Sequence, residues 1–202
     1  MAVYPINGRG YGDRFASLLA EERLMALGPG APVAGVYPQL SNLDIEQAFK
    51  PRTIRDRNSA MACLAGVWLY FDYLNESHAI SQQLSASSAS YWHSIMHRRE
   101  PDSWNAKYWL ERTGEHPIFP AISEFARSLI QGQALAETAR FLTQHDWDPY
   151  QFVDLCEASR KDEVAMASVC RRIQLQEWRL LFDYCYRQAV GDTMTSETSY
   201  DV

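Results

Sequence analysis

Almost nowhere does the chain alternate apolar and polar residues as a half-buried strand must, so a sheet has little to build on. Cysteine is scarce and scattered: four in 202 residues, at 63, 156, 170 and 185, with no CxxC pair. That excludes a paired-cysteine zinc knuckle and a disulfide framework, and the apolar context of each cysteine suits a buried free thiol. Basic charge is short as well, with 19 Lys and Arg against 25 Asp and Glu, so there is no basic face for nucleic acid. The longest mostly apolar run, "AMACLAGVWLYF" at 60–71, falls well below the roughly 20 residues that span a bilayer. The start, "MAVYPINGRGYGDRF", has no basic region leading into an apolar one, so the expectation is a soluble cytoplasmic protein without a signal peptide. No glycine-flanked serine, Rossmann fingerprint or phosphate loop is present, and no internal repeat.

What the chain does have is apolar spacing of three and four from end to end, at 47% hydrophobic residues. The expectation is an all-α single domain over residues 1–190, a helical bundle, with a disordered polar tail at 191–202. A first helix fits about 13–27, with Phe15, Leu18, Leu19 and Leu24 on its apolar side, and "GPGAPVAGVYP" at 28–38 is a surface connection. Ser41 opens a short helix through "NLDIEQAF". The most apolar helix is expected at about 54–83, central in the bundle, with Leu64, Trp68, Phe71, Asn75 and His78 on one stripe. After the turn "LSASSAS" at 84–90, Ser90 caps a short helix to about Arg99, and Pro101 opens the next, through to Gly114. Helices follow at about 120–131, 133–144 and 149–158, then a long one at about 161–189.

The stretch "SASYWHSIMHRREPDSWNAKYW" at 88–109 concentrates the chemistry-bearing side chains. His93 and His97, four apart, project from one helical face and can chelate one ion; Glu100 continues that face. With Ser90 as cap, His93 falls in the first helical turn, where the helix dipole keeps its ring neutral. His78 on the central helix is a third candidate metal ligand, and a core histidine bonded to a neighbouring helix is its plain alternative. Glu177 sits on the apolar face of the last helix and needs a partner there: a metal, a histidine, or an arginine such as Arg98, Arg99 or Arg171. Glu100 and Glu177 are the candidate catalytic carboxylates. Arg98, Arg99, Asp102 and Lys107 can hold a polar ligand, or else tie two short helices together across the proline. Trp92, Trp104 and Trp109 read as core and rim, and His116 as a loop residue able to fold back over the site.

"SYWHSIMHRREPDSWNAKYW" followed by "HPIF", with "WLYFDYLNESHAISQ" before it and "QEWRLLFDYCYRQA" after it, resembles a family of uncharacterised microbial proteins with this block order over most of the chain. The resemblance implies a shared helical fold and names no activity. Three functions stay open on the residues themselves. A His/Glu-lined pocket between helices can hold a divalent transition metal (Zn, Fe or Mn) for hydrolysis or oxidation of a small molecule. The same pocket can work without metal, binding a small polar ligand or acting as acid and base. Or the polar cluster specifies helix packing in a structural or interaction protein. No nucleic-acid or membrane partner is expected, and the sequence does not set the oligomeric state.

Overall fold

The computed structural model describes residues 10–131, 139–162 and 164–192. Among these residues there is no strand, and the α-helices are α1 (Asp13–Leu18), α2 (Tyr37–Ser41), α3 (Ile45–Ala48), α4 (Arg57–Tyr70), α5 (Leu74–Ser81), α6 (Ser87–Arg99), α7 (Ser103–Thr113), α8 (Phe119–Ile130), α9 (Pro149–Asp162) and α10 (Val164–Val190). The fold is an all-α single domain, and no described helix is long and apolar enough to cross a membrane. The residues expected as a polar tail lie outside the described ones from 193 onward, as do 133–138 of the helix expected at 133–144; Arg140–Thr143 forms a 3-10 turn. All four cysteines are buried.

Three expectations about the elements are corrected. The helix expected at 13–27 stops at Leu18. Beyond it the chain lies across the bundle with Met25 and Leu27 buried and Leu24 exposed. Its carbonyls bond to side chains in place of helical amides. Arg171 donates to those of Leu24 (2.6 Å) and Met25 (3.0 Å), Gln174 to Ala26 (3.0 Å), Arg160 to Leu27 (3.3 Å), and Arg99 to Gly28 (3.2 Å) and Pro29 (3.3 Å). Six consecutive acceptors are satisfied this way, which removes the need for helix.

The helix expected over 54–83 is two. Asp56 caps α4 through the Asn58 (2.9 Å) and Ser59 (3.3 Å) amides, and the chain breaks at Asp72, whose φ is +66°. Both Asp72 carboxylate oxygens are held, one by Arg99 and one by Arg23, while Arg99 also donates to the Leu69 carbonyl at 2.7 Å. Capture by two guanidiniums outweighs the modest cost of the left-handed conformation, which Asp tolerates better than most residues. Gly30, at φ +74°, passes so close that a Cβ there would lie 2.5 Å from the Asp72 carboxyl carbon.

α6 shares the centre of the bundle with the apolar α4 expected there and is the more completely buried of the two: every residue from Ala89 to Arg99 is buried, whereas Met61 and Trp68 of α4 are only partly so. Its neighbours are α4, α5, α7 and α9, and the side chains of Tyr91, Trp92 and Arg98 meet α10. Trp68, expected in the core, is half-buried. Gly66 makes the α4–α6 approach possible, since a Cβ there would meet the Trp92 ring at 2.7 Å, and the Trp178 indole of α10 donates to the Gly66 carbonyl at 2.7 Å. A polar helix can sit at the centre because its charges are paired inside it.

Candidate metal centre

The break at Asp72 redirects the chain so that α5 packs on both α4 and α6 and carries His78 to the face bearing His93 and His97. The three rings meet there. Centroids lie 4.5 Å apart for His78 and His93, 4.9 Å for His93 and His97, and 5.5 Å for His78 and His97. One nitrogen from each ring can be chosen so that all three lie within 4.8 Å of one another. Trp109 of α7 closes the far side, stacked on His93 at 3.8 Å between centroids and 19° between planes.

Each α6 histidine has its Nδ1 engaged on the side. His97 Nδ1 lies 3.0 Å from Glu100 Oε2, and His93 Nδ1 lies 3.3 Å from the Ser81 hydroxyl. Burial, reinforced by His97 and His78, holds His93 down to about 3, and burial lowers His97 as well although Glu100 opposes it. Both rings are therefore neutral at pH 7, with lone pairs free for a metal. The cause is burial and not the helix dipole: α6 starts at Ser87, Ser90 lies inside it, and His93 falls in its second turn. His78 is half-buried and opens the cluster toward solvent.

A groove of about 580 Å³ is lined by Glu100, the hydrogen-bond partner of His97, and by Leu74 to Glu76 of α5; none of the three histidines is in its lining. Pro29, Pro32, Tyr73 and Leu74 make its apolar lining, Asn75, Glu76, Glu100 and Asp102 its polar one, and no lysine or arginine among the described residues lines it. Asp102 caps α7 by accepting from the Asn105 amide at 3.1 Å, which lowers its pKa. Asp72 also lines the groove but is neutralised by its two arginines.

The remaining candidates are placed elsewhere. Glu177 is fully buried, accepting from Tyr91 at 2.6 Å and from both terminal nitrogens of Arg98. Tyr91 and Arg98 share one side of α6, roughly 130° around the helix from His93 and His97, so Glu177 faces away from the histidines. Arg98 also lies over the Phe152 ring at 4.7 Å. Arg99 is committed to Asp72 and the 28–29 carbonyls, and Lys107 to Asp154 of α9 at 2.6 Å. Of the proposed ligand-binding residues, only Asp102 borders the groove. His116 does not fold over the site; it is buried against Tyr184 and Phe119, bonded to Ser88 at 3.0 Å, and lowered to about 4 by burial. Two contributors escaped the sequence reading, Ser81 and Trp109. The signal for Ser81 was available, since it stands three residues after His78 on the same helical face.

No family model, curated protein or solved structure matches the chain.

Proposed function

We propose that the chain is a metal-dependent hydrolase of small molecules, built on His78, His93 and His97. The convergence of three imidazoles from two helices, with ligand atoms within 4.8 Å, carries the reading. A tetrahedral ion about 2.1 Å from each nitrogen holds them about 3.4 Å apart, a contraction that small side-chain rotations supply. Three imidazole ligands, with His93 and His97 kept neutral by burial, suit zinc, which would bring the pKa of a bound water to about 7. Oxidative iron chemistry more often uses a carboxylate in the ligand set, and here Glu100 is bonded to His97. Glu100 also lines the groove, and with an ion held by the histidines its carboxylate would serve as the proton acceptor for hydrolysis. The groove has the volume of a small-molecule site, and its carboxylates without lysine or arginine favour a neutral or cationic substrate.

Untagged protein reconstituted with zinc should hold about one equivalent by elemental analysis and hydrolyse uncharged or cationic ester and amide probes. His93→Ala and His97→Ala should lose both metal and turnover while keeping the helical spectrum. Folded wild-type protein that takes up no metal overturns the reading.

A further inference from the structure

The Ser81 hydroxyl stands between two groups of different character. On one side, at 3.3 Å, is the backbone carbonyl oxygen of His78, which can only accept a hydrogen bond. On the other, also at 3.3 Å, is Nδ1 of His93. A serine has one hydroxyl proton, so both contacts can be hydrogen bonds only if the carbonyl takes it. What Ser81 turns toward His93 is then a lone pair, and a stable contact requires Nδ1 to carry the ring proton. We infer that Ser81 is a positioning residue that locks neutral His93 as the Nδ1–H tautomer, leaving Nε2 as its ligating atom.

Glu100 imposes the same choice on His97. Its carboxylate only accepts, so Nδ1 of His97 bears the proton and Nε2 is bare. Both α6 histidines then offer the same nitrogen, Nε2, as the unprotonated ligand atom. Ser81 does more than Glu100, because its one hydroxyl joins the backbone at His78 to the ring of His93 and so links two of the three proposed ligands. Fully buried, it has no water to substitute for it. The consequence for metal affinity rests on the metal reading above; the tautomer does not.

The test separates the two. Long-range proton–nitrogen spectra of the metal-free protein should show His93 as the Nδ1–H form, and Ser81→Ala should release it to exchange tautomers. Zinc affinity should fall 10- to 100-fold in Ser81→Ala and recover in Ser81→Thr, which restores the hydroxyl. His93 found as the Nε2–H form in the wild-type protein overturns the inference with no variant needed. Where the wild type binds zinc, equal affinity in Ser81→Ala overturns the positioning role. A wild-type protein with the Nδ1–H tautomer that binds no zinc refutes the metal reading and supports the assignment of Ser81.

Discussion

Protonating His93 inside the fold puts a charge on a ring that is 1% exposed, stacked on Trp109 and flanked by two other imidazoles. Its pKa is accordingly held to about 3, against 6.5 for an unconstrained histidine, and burial holds His116 to about 4. The unfolded chain binds these protons and the folded one does not. Stability from this source is therefore complete above about pH 6.5 and drains away as pH falls toward the folded values. Around pH 5 each histidine should cost about 1.4 kcal/mol per pH unit. Urea unfolding of metal-free protein at pH 7, 6 and 5 should show this, with His93→Gln losing about one proton's worth of slope. An unchanged slope in His93→Gln would mean that the ring titrates normally in the fold.

Among the elements, the corner between α4 and α5 has the widest consequences. Two arginines meet one carboxylate at Asp72; the same Arg99 holds the 28–29 carbonyls, and α5 beyond the corner carries both His78 and Ser81. Asp72→Ala leaves the Arg99 guanidinium buried without a countercharge, a change of the kind that costs about 3–5 kcal/mol. It should also loosen α5, so zinc uptake should weaken beyond what the stability loss alone explains. A variant within about 1 kcal/mol of wild type would show that the corner is held by packing and not by the ion pairs.

For the whole molecule, the three proposed ligands converge only after α5 and α6 have docked, so the unfolded chain offers no comparable site and metal binding adds to folding stability. At a free zinc concentration 100 times the dissociation constant the gain is about 2.7 kcal/mol. A chain of this size converts that to a rise in Tm of roughly 5–11 °C. Thermal melts with and without zinc should show the rise, a chelator should reverse it, and the His93→Ala/His97→Ala pair should abolish it. A wild-type Tm that zinc leaves unmoved counts against the centre.

Helix content, the pairing of His93 with His97 and the boundaries of α7 and α10 to within a few residues follow from periodicity, capping and spacing, all local properties that the sequence by itself determines. The Asp72 corner does not: "YFDYLN" continues a helical stripe, and only Arg23 and Arg99, 49 and 27 residues away, turn it. The same holds for the segment after Leu18, whose apolar spacing suits a helix until four side chains from α6, α9 and α10 take its carbonyls. Glu177 was legible as a buried carboxylate in need of a partner, and the choice of Arg98 over a metal belonged to the packing of α10 against α6. His78 joined the other histidines for the reason that α5 exists as a separate helix. Local free energies of a few tenths of a kcal/mol per residue set where helices can form, whereas buried charges worth several kcal/mol decided where they stop and which of their faces meet.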